Sequence, residues 1–406
     1  MRALLTPQIR KQAWLNAYWI PLNFQQVALL TIAVPAALLR FHVTNYVVAF
    51  AELSTTAAII AMIVPPIFGG ISDWFWRRGV PRRYTIYAGA IVNTLGLLYM
   101  VVSHSTLTLG IGFVVSTFGH QLSISAYQAL MPEVVPREHW GLSAGARGAA
   151  ALVGTAIALA VSSQVSPAMV FLVAAVLNTA GVFSVLPIRE KDGRKSAEVR
   201  EAEQDKAQVS DWHDFIVVFI ARSFTLFGMS LLMTYVLYFF KDVLHQSHPS
   251  TGTALVAGLS LVGAIVSSVL SGKLSDRVTR KGLVALAAIP MALCTLIFAL
   301  VPNILVVIPF AVLFGLGFGA FLSTDWAMGI DAVPKLRDVA RDLGLWGIAA
   351  GLPAVVAPAF GGWVLTIFGN RLAGYRVLFV IASISFAIGA LVVLKVRDDA
   401  RSHHKQ

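Results

Sequence analysis

Read for the order of apolar and polar positions, the chain alternates long apolar runs with short polar breaks. Runs of 18 residues or more recur from end to end, each long enough to cross a bilayer as a helix. Twelve spans are expected, at 14–39, 45–71, 84–103, 106–131, 142–163, 166–188, 214–240, 250–274, 282–301, 303–330, 342–368 and 374–395. One long polar stretch interrupts the pattern, between spans six and seven. It carries six bases and eight acids from Arg189 to Asp214 and reads as a flexible linker. The expected organisation is an all-α polytopic membrane protein with twelve transmembrane helices in two pseudo-symmetric six-helix bundles. Residues 1–188 form the N-terminal bundle, 189–213 a cytoplasmic linker and 214–406 the C-terminal bundle.

An internal repeat supports the two halves. Gly69-Gly70-Ile71-Ser72-Asp73-Trp74-Phe75-Trp76-Arg77-Arg78, followed by Arg82 and Arg83, matches Gly272-Lys273-Leu274-Ser275-Asp276-Arg277-Val278-Thr279-Arg280-Lys281. Both read Gly, three residues, Asp, three residues, two bases, and the aspartates lie 276 − 73 = 203 positions apart. Such a Gly lets another backbone approach closely, the Asp can face the positive N-terminus of a neighbouring helix, and the bases are expected at the membrane surface. The repeat continues late in spans four and ten. Tyr127-Gln128-Ala129-Leu130-Met131-Pro132-Glu133-Val134-Val135-Pro136 aligns with Asp325-Trp326-Ala327-Met328-Gly329-Ile330-Asp331-Ala332-Val333-Pro334. Two matching halves predict a binding site between them, near the midplane.

Composition agrees: 57% of residues are hydrophobic, 13% are charged, and the mean hydropathy is +0.76. The net charge of +11 does not point to nucleic acid, because the bases are unevenly placed. Twenty-five of the 31 Lys and Arg fall on one side of the predicted topology. Arg40, Lys241, Arg371 and Arg376 fall on the other, and Arg147 and Arg222 within spans. The rule that basic loops stay inside puts both termini in the cytoplasm and suggests a bacterial inner membrane. The first apolar segment contains Asn16, Asn23, Gln25 and Gln26, and reads as an uncleaved span. Cys294 is the one cysteine, so neither an internal disulfide nor a cysteine metal site is expected. No metal-ligand spacing, nucleotide loop or catalytic triad is evident, and neither a cofactor nor enzyme chemistry is expected.

Polar groups inside the spans are the candidate machinery. Glu52, two turns into span two, is a candidate proton carrier or an acid at a water-filled mouth. Asp325, beside Ser323, Thr324 and Trp326, is a candidate for a proton, a cation or a solute hydroxyl, or for an ion pair with Arg222 or Arg147. Arg222 could clamp an anion or hold Asp325 ionised. Arg147 is expected to be structural. Asn16, Trp19, Asn23 and Gln26 share one face of span one. Gln121, Ser125 and Gln128 share a face of span four, with His120 and Tyr127 adjacent. Amides and rings suit a neutral polyhydroxy solute, and helix–helix hydrogen bonding is the alternative. His120 is expected to be neutral and hydrogen-bonded. Gly315-Leu316-Gly317-Phe318-Gly319 follows no strand, so it signals close helix packing rather than a dinucleotide loop.

These features together resemble the major facilitator superfamily over essentially the whole chain. The family's loop motif, Gly-x-x-x-Asp-Arg/Lys-x-Gly-Arg-Arg/Lys, is matched by Gly69, Asp73, Arg77 and Arg78. Gly272, Asp276, Arg277, Arg280 and Lys281 match it in the second half. Trp74, Trp76 and Thr279 depart from it. The resemblance implies that spans one, four, seven and ten line a central cavity. It also implies that Asp73 and Asp276 latch the cytoplasmic side. Tyr127–Glu133, Asp325-Trp326-Ala327 and Asp342-Leu343-Gly344 are similar to bacterial relatives of sucrose/proton symporters. Pro358-Ala359-Phe360-Gly361-Gly362 resembles part of an antiporter motif but lies in span eleven, whereas the family carries it in span five.

The expected function is secondary transport of a small solute, a sugar or related polar metabolite, by alternating access with proton coupling. The substrate/proton pathway is assigned to Asn23, Gln26, Glu52, His120, Gln121, Tyr127, Gln128, Arg222, Asp325 and Trp326. Conformational gating is assigned to Gly69, Asp73, Arg77, Arg78, Gly272, Asp276, Arg277 and Arg280. A drug or metabolite exporter is the alternative. A non-transporting sensor fits less well, since the linker is about 26 residues and the last span is followed by about ten. The expected partners are the solute, protons and the lipid bilayer, with no nucleic acid and a monomeric chain.

Overall fold

In a computed structural model of the chain, residues 7–41, 46–188, 190, 212–245, 249–301, 303–334, 338–368 and 372–397 are described. All but Glu190, Trp212 and His213 of the expected linker lies outside the described residues. Twelve helices among the described residues are long and apolar enough to cross a membrane. They are α1 (Gln12–Arg40), α2 (Tyr46–Arg77), α3 (Arg83–Val101), α4 (Thr106–Val134), α5 (Trp140–Ser162) and α6 (Pro167–Val182), followed by α7 (Trp212–Asp242), α8 (Pro249–Ser275), α9 (Arg280–Leu300), α10 (Ile304–Asp331), α11 (Val339–Phe368) and α12 (Leu372–Val393).

Local chemistry sets the ends. Ser105 and Thr108 form a reciprocal capping box at the start of α4. Ser166 and Asn303 cap α6 and α10 with their side chains. Prolines explain the irregular α1. Pro21 has no amide to give the Ala17 carbonyl, and the helix breaks at Tyr18. Pro35 likewise leaves the preceding turn short of a donor, and Leu29–Ala33 widens into a π turn.

The backbone packs as two units: residues 1–209 with 335–347, and residues 210–334 with 348–406. The first stretch of α11 therefore belongs with the N-terminal helices. The repeat is visible in the packing. In the first unit α2 and α3 pack on α4, and α3 on α6; in the second α8 and α9 pack on α10, and α9 on α12. Small residues permit these close approaches, the usual basis of helix association where lipid removes the hydrophobic drive. A Cβ on Gly119 would strike the α3 backbone at Asn93, and one on Gly317 would lie 2.7 Å from the Ala287 carbonyl. Gly315 and Gly319 meet α8 at Ser260 and Ala264, so the glycine run in α10 is a packing stripe.

The halves differ where their glycines differ. Gly154 of α5 admits the α1 backbone at Ile20, making α1 and α5 a tight pair. In the second unit α7 instead pairs with α12, through Gly228 against Ala382 and Gly389 against Ala221 and Thr225.

Candidate functional site

The loop aspartate of the first unit sits at the centre of a buried charge network. Arg82 stands just before α3, fully buried, with Nη2 2.7 Å from Asp73 Oδ1 and Nε 2.8 Å from Glu133 Oε1. Its Nη1 donates to Ser72 Oγ at 3.1 Å, and its guanidinium lies 5.1 Å from the Trp76 ring centre. Burial works against the charge on Arg82. The carboxylates of Glu133 and Asp73 outweigh that and hold its pKa above the ordinary arginine value. Asp73 also accepts from the backbone amides of Ala340, at 3.3 Å, and Arg341, at 3.0 Å. These are first-turn amides of α11, where no carbonyl of the helix can reach them.

Gly69 makes this approach possible, because a Cβ there would strike the Ala340 carbonyl. Arg77 reaches the same segment, with Nη1 2.8 Å from Asp338 Oδ1. Trp76 occupies the motif's second glycine position without harm. The helix continues to Arg77, and the left-handed residue needed for the turn is Gly79, at φ +86°. Arg78 lies exposed over Trp74, 3.3 Å from the ring centre.

The second unit repeats the triad. Arg280 opens α9 and is ion-paired with Asp331 at the end of α10 and donates to the Ala327 carbonyl at 2.8 Å. Asp276 Oδ1 lies 3.8 Å away from Arg280 Nη2. Arg82 is thus the structural counterpart of Arg280, although the sequence repeat aligns Arg77 and Arg78 with Arg280 and Lys281. The first loop is simply longer, so the buried base falls nine positions after the aspartate rather than four. Arg82 and Arg280 are also buried, contrary to the expectation that every loop base lies at the surface. Gly272 is buried, and Arg277 is exposed.

Deeper in the first unit, Tyr127 donates to the Leu15 carbonyl, and its ring meets those of Tyr18, at 5.2 Å, and Trp19, at 5.3 Å. Arg147 lies over the Trp19 indole, 4.0 Å from the ring centre. This places Arg147 in an aromatic cluster, a position that sequence spacing did not indicate. Much of the polar stripe is internal glue. Asn16 donates to Ser143 Oγ at 3.4 Å, Ser125 to the Leu122 carbonyl, and Gln128 points weakly to the Ala340 carbonyl at 3.5 Å. Asn23 Nδ2 donates to its own helix at Trp19, while Gln26 is exposed and Gln121 half-buried. Gln25, assigned no role by the pattern, exchanges hydrogen bonds with Asn93 and Ser116, all three buried. His120 is buried, and its Nδ1 has no partner among the described residues. Glu52 is exposed.

In the second unit Arg222 of α7 is ion-paired with Asp325 of α10, and the Asp325 side chain is 1% exposed. Buried Thr324 Oγ1 beside it has no partner among the described residues, and Trp326 is buried.

The sequence profile described as Major Facilitator Superfamily matches residues 22–335 and 218–406. The chain belongs to this superfamily. Its fold recurs in the human organic anion transporter MFSD10 (TETRAN), at TM-score 0.77 and 11% identity, covering 96% of this chain and all of that one. A bacterial homologue of the iron transporter ferroportin, in an outward-facing state, gives TM-score 0.73 at 14% identity over 95% and 99% of the two chains. At these identities the likeness shows the fold alone.

Two bacterial transporters are similar in sequence. A gentisate transporter from Corynebacterium glutamicum is 29% identical over 153 residues, 35% of this chain and 31% of that protein. A triacylglyceride transporter from Mycobacteroides abscessus is 30% identical over 151 residues, 37% of this chain and 28% of that protein. The match thus spans under a third of either relative. The similarity to sucrose/proton symporter relatives is not among these matches. Superfamily membership and the twelve apolar helices make the chain an integral membrane protein, and its ancestry points to transport rather than enzyme chemistry.

Proposed function

We propose that this chain is a proton-coupled secondary transporter of a small organic anion, working by alternating access. The observation that carries the reading is the buried Arg222–Asp325 ion pair. An unneutralised charge is costly at this depth, so each partner needs the other or a substitute. A proton on Asp325 releases Arg222, whose planar fork then suits a carboxylate of the solute. Loss of that proton restores the pair and displaces the anion. Proton and solute thereby bind together, which is the requirement for symport.

Within the first unit, the Trp19–Arg147–Tyr127 cluster separately offers a cation and flat rings, chemistry that suits a ringed carboxylate. Gentisate is such a compound, and the human structural neighbour is an organic anion transporter. A neutral sugar is the second reading, favoured by the Asn23, Gln26 and Gln121 amides, which keep some exposure. We assign gating to the Asp73 and Asp276 networks. Asp73 stabilises the start of α11, so its bonds are suited to hold one conformational state.

The deciding experiment is uptake of labelled gentisate and labelled sucrose into proteoliposomes, with and without an inward proton gradient. Accumulation of gentisate only with the gradient is the expected result. Gradient-driven sucrose uptake without gentisate uptake supports the second reading. Gentisate accumulation unaffected by collapsing the gradient removes the coupling role of Asp325.

A further inference from the structure

Trp74 stands where the superfamily motif carries a base, and it takes no part in the Asp73 network. Asp73 and Trp76 beside it are buried, whereas Trp74 and Phe75 are exposed. The two exposed rings meet edge to face, 4.9 Å between centres. Arg78, one helical turn on, holds its guanidinium 3.3 Å over the Trp74 ring. Among the described residues no carboxylate pairs with Arg78, in contrast to Arg77, Arg82 and Arg83. A guanidinium held over an indole keeps its N–H edge for an anion.

These residues end a stripe. Ile59, Ile63, Ile67 and Ile71 are exposed at four-residue intervals along α2, on the side of the helix left for lipid. At 1.5 Å per residue they span about 18 Å, close to the roughly 15 Å of one hydrocarbon leaflet. Trp74 and Phe75 follow on the same face, as aromatic rings do at a membrane interface. Arg78 comes about 10 Å beyond Ile71. The stripe thus has the order of a phospholipid's own parts: apolar side chains for the acyl chain, rings for the ester level, a cation for the phosphate.

The second unit repeats the stripe without its end. Val262, Val266, Leu270 and Leu274 are exposed on α8, each 262 − 59 = 203 positions after its isoleucine. There Arg277 matches Trp74 and Val278 matches Phe75. Lys281, the base matching Arg78, donates to the Val396 carbonyl at 3.0 Å. The α8 face therefore offers the same aliphatic track, but no ring, and its last base is turned onto the protein.

We propose that the loop end of α2 binds one anionic phospholipid, with its phosphate on Arg78 and an acyl chain along Ile59–Ile71. Trp74 holds the guanidinium in place and packs against the glycerol and ester groups. Anionic lipid is preferred to zwitterionic lipid because a choline ammonium competes with Arg78 for the same phosphate. The site lies on the lipid side of α2 and depends on neither the solute nor the coupling ion.

Quenching of Trp74 fluorescence tests this, taken as the difference between the full chain and its Trp74→Phe variant in phosphatidylcholine bilayers. The quencher is phosphatidylglycerol, or phosphatidylcholine, brominated near the carbonyl end of its chains. Half-quenching should need about fivefold less phosphatidylglycerol than phosphatidylcholine, the preference that one base confers at a membrane surface. Arg78→Ala should abolish this preference, and Arg277→Ala should leave it. Equal quenching by the two lipids in the parent chain overturns the proposal, as does a preference that survives Arg78→Ala. A preference lost equally in Arg277→Ala reports the general field of the basic loops and overturns it too. Should Arg78→Ala fail to fold, Arg78→Gln takes its place with the same two outcomes.

Discussion

The Asp73 carboxylate meets the Arg341 backbone amide at 3.0 Å, joining residues 268 positions apart. A side chain at the end of one helix thereby serves as the anionic cap of another. The same carboxylate holds Arg82, so the cap, the ion pair and the Gly69 contact are lost or kept together.

Asp73→Asn keeps the shape and removes the charge. Transport should fall severalfold while equilibrium solute affinity stays within about tenfold, roughly 1.4 kcal/mol. Parallel measurement of uptake and of binding checks this. Complete loss of binding would place Asp73 in the solute site instead.

Removal of Arg82 leaves two carboxylates buried around an empty position. Arg82→Gln should destabilise the protein by about 3 kcal/mol or more. Arg77→Gln should cost under about 1 kcal/mol, because the Arg77 side chain keeps 30% exposure in its pair with Asp338. Thermal unfolding of both purified variants should rank them in that order. Equal stability would mean that water already solvates the triad.

Asp325→Asn imitates the protonated carboxyl permanently. Uptake against a gradient should vanish, while exchange of labelled for unlabelled solute, which needs no net proton movement, should survive. Arg222→Gln should abolish anion binding. Concentrative uptake by Asp325→Asn would move the coupling proton elsewhere, with exposed Glu52 the next carboxyl to substitute.

Single cysteines at Arg78 and Arg277, both exposed, should react with an impermeant reagent only from the cytoplasm. Arg280 is a poor reporter because it is buried in its triad. Labelling of either site from outside would invert the topology.

Twelve spans were legible because membrane crossing imposes a length and an apolar content that any window of the chain displays. The two-fold repeat was legible for a related reason: the Gly, Asp and terminal acid recur at fixed positions, including Glu133 and Asp331. The glycine run of α10 could be read as packing, since no strand preceded it.

Partner choice was beyond the pattern. Arg82 rather than Arg77 completes the first triad because the chain must first turn at Gly79, and a loop's path is not periodic. Gln25, one position outside the polar face of span one, became the buried knot with Asn93 and Ser116. Asp342 illustrates the limit most clearly: its place in the chain marks it as one more acid near a loop, and only the folded packing buries it completely. The sequence by itself determined which residues cross the membrane and where the halves repeat, because those follow from local composition. Tertiary packing decided which charges meet and which are buried, because that depends on which helices exclude water from one another.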